Sequence, residues 1–226
     1  ITQKNCLHPY PDTYQKGKKM AADTEEQQEE LIKKFLIDHK AKIIIVLVLI
    51  FTFIIGRNFY TSNQVSKSEA ASQMYQEILI ESEENSDIIS AKVKLIKDKH
   101  SKTPYAARSA IYFAKILSKN NKVNESIKEF RWAASNSPEE SIRSMANFFL
   151  ANQYLAETKF EEALATSSEI KSVGYTGLVY DLVGDIHAAN GDNDSAIGSY
   201  QKALDYFGGQ GQLYKVIQNK KDALSP

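Results

Sequence analysis

The sequence predicts an all-α protein, with a single N-terminal transmembrane helix followed by an α-solenoid of stacked helix pairs. Three observations lead there. An uncharged run, residues 43–56, interrupts an otherwise polar chain. Beyond it, apolar residues recur at spacings of three and four almost to the end, the period of helices with one buried face, and no stretch alternates long enough for a strand. Within that part, small and aromatic residues return together at steps of 37 and 33 residues. Self-similarity at such a period is what stacked helix-pair repeats produce.

Charged residues make up 25% of the chain and hydrophobic ones 42%, so a packed core is feasible. The formal net charge is zero, which removes the basic surplus that phosphate binding needs, and no nucleic acid is expected as a partner. Cys6 is the sole cysteine, so no intramolecular disulfide can form. Residues 1–19 show no helical or strand period, and His8-Pro9-Tyr10-Pro11 favours a turn or extended chain. The text changes at Met20 to an acidic helix start. The expectation is a natural start at Met20, with residues 1–19 upstream sequence or a disordered tail, and residues 20–40 a cytoplasmic helix.

The uncharged run has 14 positions, short of the ~20 that a spanning helix needs. Its flanks extend it. Phe59 and Tyr60 bring aromatic rings to one boundary, and Lys40 and Lys42 can lay their stems along the apolar face at the other. Residues 41–60 then give roughly 30 Å of helix. A core helix would show a polar stripe, and only Thr52 interrupts this one. No A-x-A-like cleavage site follows, which argues against a removable signal peptide. Lys33, Lys34, Lys40 and Lys42 precede the run, against Arg57 and Lys67 after it, so the lysine-rich side is expected in the cytoplasm and residues 61–226 in the periplasm.

Three segments of that domain are similar to one another. In the clearest, residues 178–204, Tyr180 stands where the tetratricopeptide pattern has its opening aromatic residue, Val183-Gly184 at its Leu-Gly pair, and Gly191 at the end of the first helix. Ala196, Tyr200 and Ala203 match the small, aromatic and small positions of the second helix. Small residues are needed there because two helices cross closely. The second copy carries Ala151, Tyr154 and Ala163. The third carries Phe113-Ala114, Ser126-Ile127, Phe130 and Ala133, closed by Pro138. Residues 67–82 and 87–99 read as a further helix pair, Gly208-Gly209 as a stop, and residues 212–223 as a terminal helix whose Asn219-Lys220-Lys221-Asp222 supplies a polar capping face.

A lysine-flanked span after an acidic, glutamine-rich start, the segment Ala71-Ser-Gln-Met-Tyr75-Gln-Glu-Ile, the Lys102-Thr103-Pro104-Tyr105-Ala106 motif and the final repeat at Gly184-Asp185-Ile186 together resemble the YfgM family over about residues 20–224. Its members are ancillary subunits of the SecYEG translocon with a tetratricopeptide-like periplasmic domain. The resemblance implies contact with SecYEG, with the periplasmic chaperone PpiD and with newly translocated client proteins handed on to chaperones. Residues 45–55 depart from it, being more β-branched and aromatic than the Leu-Ala-Gly spans of the family.

No catalytic constellation is legible. His8, His39, His100 and His187 are far apart, Asp185 and His187 do not share a helix face, and no HExxH, G-x-S-x-G or phosphate-cradling loop occurs. The Glu81 to Asp87 cluster reads as a solvated helix-loop junction. No cofactor, metal or small-molecule substrate is expected, and no enzyme. Membrane lipid is expected around residues 41–60. A docking surface is expected on the exposed face of the first helix of each pair. The positions are Arg108, Ile111, Lys115 and Lys119 in the copy that Pro138 closes, Met145, Phe148, Asn152 and Leu155 in the copy around Ala151, and Leu178, Asp181, Asp185 and Ala188 in the copy at residues 178–204. That face would have a basic end, an apolar middle and an acidic end, suited to a polypeptide segment. The alternatives are an organiser of wall synthesis or division, and a signalling role for residues 23–36.

Overall fold

The structure, a computed structural model, describes residues 13–209 and 211–224, with side chains from residue 27 onward. It is built of nine α-helices among the described residues. In chain order they are α1 (Thr13–Leu79), α2 (Ser86–His100), α3 (Pro104–Lys119), α4 (Val123–Asn136), α5 (Glu140–Ala156), α6 (Phe160–Ser168), α7 (Thr176–Ala189), α8 (Asn193–Phe207) and α9 (Gln212–Leu224). A short 3-10 turn, Val173–Tyr175, leads into α7. No strand occurs among the described residues. Helix α1 begins at Thr13, earlier than the acidic start at Met20. Cys6 and the proline-rich stretch around Pro9 lie outside the described residues. The chain divides into two units, Ile1–Ser62 and Asn63–Pro226.

The first unit is the apolar stretch of α1 and what precedes it. Its large side chains from Ile44 to Ile55 have no protein cover, with Phe53 70% exposed. That excludes a core helix, whose apolar side chains would be buried. Here α1 is long and apolar enough to cross a membrane. The one hydroxyl in the run is satisfied within the helix, because Thr52 Oγ1 donates to the Val48 carbonyl at 2.8 Å. In hydrocarbon an unpaired hydroxyl would carry its full desolvation cost.

The second unit is a row of helix pairs. Residues 63–79 of α1 pair with α2, then α3 with α4, α5 with α6, α7 with α8, and α9 closes the row. Ala71 and Ile78 of α1 pack with Ile89, Val93 and Ile96 of α2 and with Phe113 and Leu117 of α3. Trp132 of α4 touches both this cluster and the next. Lys97 of α2 reaches Glu129 at 2.8 Å and sits 4.7 Å from the Trp132 ring centre, tying the first pair to the second.

The repeat is most exact in its turns. Asn121, Thr158 and Gly191 stand 37 and 33 residues apart, and all three have left-handed backbones, with φ of 59°, 56° and 81°. Each turn repeats the same two hydrogen bonds. The amides of Lys122, Lys159 and Asp192 donate five residues back, to Leu117, Tyr154 and His187, at 2.8, 2.9 and 2.9 Å. Those of Asn121, Thr158 and Gly191 donate three residues back. These bonds satisfy the carbonyls that a helix end leaves orphaned. Ala114, Ala151 and Gly184 keep the same steps and are buried. A Cβ added at Gly184 would lie 2.5 Å from the Tyr200 ring, so the α7–α8 contact exists only without one. At the matching place in α6 stands Ser167, which folds its hydroxyl back to the Ala163 carbonyl at 2.8 Å.

Two substitutions test these packing and turn constraints, both read from thermal and urea unfolding of the full chain in detergent by circular dichroism. Gly184→Ala lowers stability by about 1–3 kcal/mol through overpacking against Tyr200. Thr158→Gly raises it by about 0.5–1 kcal/mol, because a β-branched residue in the left-handed region is strained and glycine is not.

Candidate protein-binding face

Helix α3 starts at Pro104, which needs no amide partner at a first helical position. Ala106, Ala107, Ala110, Ala114 and Leu117 pack inward, which leaves Arg108, Tyr112, Lys115 and Lys119 on the other side at spacings of three and four. Helix α5 runs beside it and buries Ile142, Ala146, Leu150 and Ala151. A cleft of about 490 Å³ lies between the two, lined by Tyr75, Arg108, Ile111, Tyr112, Lys115, Met145 and Phe149. A second hollow of about 390 Å³, also bounded by Lys115 and Phe149, extends past Lys119, Asn152 and Gln153.

The cleft therefore brings together Arg108, Ile111, Lys115 and Met145, with Lys119 and Asn152 along its continuation. Ile111 is buried in the floor. Phe148, Leu155 and Leu178 line neither hollow. Phe148 is half-buried and packs on Tyr175, ring centres 5.7 Å apart, in the joint toward α7. Phe149 stands in the cleft instead, stacked on Phe130 at 5.8 Å with Lys115 5.1 Å from its ring centre. Adjacent helix residues point about 100° apart, so one phenylalanine serves each side of α5. Tyr75, Tyr112 and Phe149 were missed from the sequence. Phe149 was signalled by its position four residues after Met145, but Tyr75 lies in the pair that matches the repeat only in shape.

The charges differ from end to end. Lys115 makes no ion pair among the described residues. Arg108 has Glu139 at 3.7 Å, with both side chains 45% exposed. Burial pushes the Tyr75 phenol up, and the Arg108 charge pulls it part of the way back. Lys119 is tied to Glu83 at 2.6 Å, so the acidic loop after α1 binds a lysine of the chain itself. At the other end, Asp181 and Asp185 of α7 both accept from Lys220 Nζ of α9 at 2.8 Å. The Tyr200 hydroxyl adds a third bond, donating to Asp185 at 2.8 Å. The acidic end of the face is thus answered by α9.

Burial raises the Asp181 carboxyl, outweighing the hydrogen bond from Lys220 that lowers it, and the neighbouring Asp185 charge raises it further. Burial also works against the Lys220 ammonium, yet the bonds to Asp181 and Asp185 lift it above its ordinary value. The two halves of the pair thus differ: Lys220 is held charged while ionised Asp181 is penalised. One ammonium serving two carboxylates accounts for this. Burial first, and then the bond to Asp185, raise the Tyr200 phenol strongly. Among the described residues no three His, Cys, Asp or Glu side chains gather to hold a metal. His187 faces Asp192 at 3.6 Å, in the turn that ends α7.

A row of helix pairs with a shared left-handed turn and an open cleft between successive first helices defines a helix-repeat protein of the protein-binding kind. The chain belongs to the tetratricopeptide repeat-like domain family, which matches residues 33–226. Three curated relatives carry the name "Ancillary SecYEG translocon subunit". That of Aggregatibacter actinomycetemcomitans is 27% identical over 88% of this chain and 99% of its own. That of Escherichia coli K12 is 24% identical over 80% of this chain and 88% of its own. That of Neisseria gonorrhoeae is 22% identical over 91% of this chain and all of its own. The resemblance to the YfgM family drawn from the sequence is borne out by these matches.

The Lys220 knot gives a pH prediction. Lys220 and Tyr200 both hold their protons more tightly in the folded chain. Their contribution to stability is complete below the unfolded values, 10.5 and 10.0, and is lost as pH rises through the raised folded values. Melting temperatures measured from pH 8 upward should fall beyond about pH 10, with a shallower fall in Tyr200→Phe. At neutral pH, Lys220→Met should cost about 1–3 kcal/mol, because it leaves two half-buried carboxylates without their shared donor.

Proposed function

We propose that this chain is a single-pass protein of a bacterial inner membrane that associates with the SecYEG translocon and hands translocated proteins to periplasmic chaperones, PpiD among them. It does so by protein–protein binding, with no bond-making chemistry of its own. Residues 20–40 lie in the cytoplasm, residues 41–60 cross the bilayer in contact with lipid, and residues 61–226 stand in the periplasm. The excess of Lys33, Lys34, Lys40 and Lys42 over Arg57 and Lys67 supports that orientation.

One observation carries the reading: the repeats close their own core yet leave a cleft open between α3 and α5, on the same chain as an apolar helix with no protein cover. The first feature suits a grip on another polypeptide, and the second holds it at a membrane. The names of the three relatives, matched along nearly their whole lengths, support the translocon as the partner.

The test is affinity purification of the tagged full chain from mildly solubilised membranes. SecY and PpiD should be retained, and recovery of wall-synthesis enzymes without SecY would overturn the reading. In spheroplasts, added protease should remove the repeats and spare an epitope placed before Lys33. Protection of the repeats would refute the orientation.

A further inference from the structure

We propose that the cleft between α3 and α5 takes an acidic polypeptide segment, seating an apolar side chain between Met145 and Phe149 while flanking carboxylates meet Arg108 and Lys115. This deepens the protein-binding reading and rests on it. Across the first-helix face, the carboxylates of α7 are engaged by Lys220 at 2.8 Å each. At the other end Lys119 is engaged by Glu83 at 2.6 Å. Between them Lys115 makes no ion pair among the described residues and is exposed. Arg108 has a loose, half-exposed ion contact with Glu139 at 3.7 Å and lies 5.8 Å from the Tyr105 ring centre. The charge that remains open at the cleft is therefore positive, although the chain as a whole is neutral.

The floor beneath those cations is apolar. Ile111 is buried, Met145 half-buried, and Phe149 presents its ring under the Lys115 ammonium at 5.1 Å. At about 490 Å³ the hollow accepts a large apolar side chain and the backbone beside it. An apolar anchor would supply affinity, and the two cations would choose acidic over basic sequences by attraction and repulsion. A flat anionic lipid surface fits less well, because the floor lies in a concavity between two helices.

The experiment uses the full chain in nanodiscs of phosphatidylcholine, whose zwitterionic headgroups do not compete for the cations. The probes are fluorescein-labelled peptides of matched sequence, Ser-Glu-Leu-Phe-Glu-Ser and its counterparts with Lys or Gln in place of Glu. In fluorescence anisotropy at low salt the Glu probe should bind at least about tenfold more tightly than the Lys probe, and added salt should narrow that gap. Arg108→Glu and Lys115→Glu should each weaken the Glu probe by about tenfold, and the double variant should prefer the Lys probe. Both sites are exposed, so helicity by circular dichroism should not change. Lys128→Glu, on exposed α4 surface outside the cleft, should leave binding intact. Equal binding of all probes, no binding, or acidic binding that survives both reversals would overturn the inference. Transfer of the Glu probe's advantage to nanodiscs lacking the protein would do the same. If these fail while SecY still co-purifies, the inference falls alone. If the probe binds as expected but SecY is not retained, the translocon reading falls and the cleft's preference stands.

Discussion

The close crossing of paired helices is the constraint on which the rest of the second unit depends. Two helices can approach at the points marked by Ala114, Ala151 and Gly184 only where side chains are small or absent, and the tightest of these places a tyrosine ring against bare backbone. A turn of fixed geometry must then reverse the chain within two or three residues. The three turns solve this with the same pair of hydrogen bonds and one left-handed residue, whether glycine, asparagine or threonine occupies it. Threonine is the strained choice. In the second repeat it is held by the same two backbone hydrogen bonds as its counterparts.

Because each pair closes on itself and on its neighbours, the surfaces left over are the faces of the first helices. Neighbouring first helices do not interlock fully, and a hollow remains between α3 and α5. At α7 the equivalent face is occupied by a polar knot in which one lysine serves two aspartates and a tyrosine serves one of them. The knot anchors the closing helix. Its energetic cost is visible in the raised Asp181 carboxyl, an ionised group held where burial disfavours it. The shared ammonium joins α9 to α7 through two half-buried carboxylates.

The first unit obeys another solvent. Its apolar side chains are uncovered over three turns and more, a state that water would penalise by roughly 25 cal/mol for each Å² of exposed hydrocarbon. Lipid removes that penalty. The lone hydroxyl of Thr52 is already bonded to Val48, and every backbone bond of a helix is internal.

The all-α class, the apolar helix, the pairs from α3 to α8 and their spacing were legible in the residues alone. These depend on local periodicity, on small residues at helix crossings and on Gly191, Gly208 and Pro138, all of which act within a turn or two of themselves. Arg108, Lys115 and Met145 could likewise be placed on one face, because a helix repeats its faces every three to four residues. That Phe149, not Phe148, enters the cleft, that Tyr75 from the preceding pair joins it, and that Lys220 bridges Asp181 and Asp185 from 39 and 35 residues away became visible only with the helices packed together. Those outcomes turn on the rotation of one helix against the next and on which charges meet across large separations in sequence. No periodicity encodes either, since both are settled by packing.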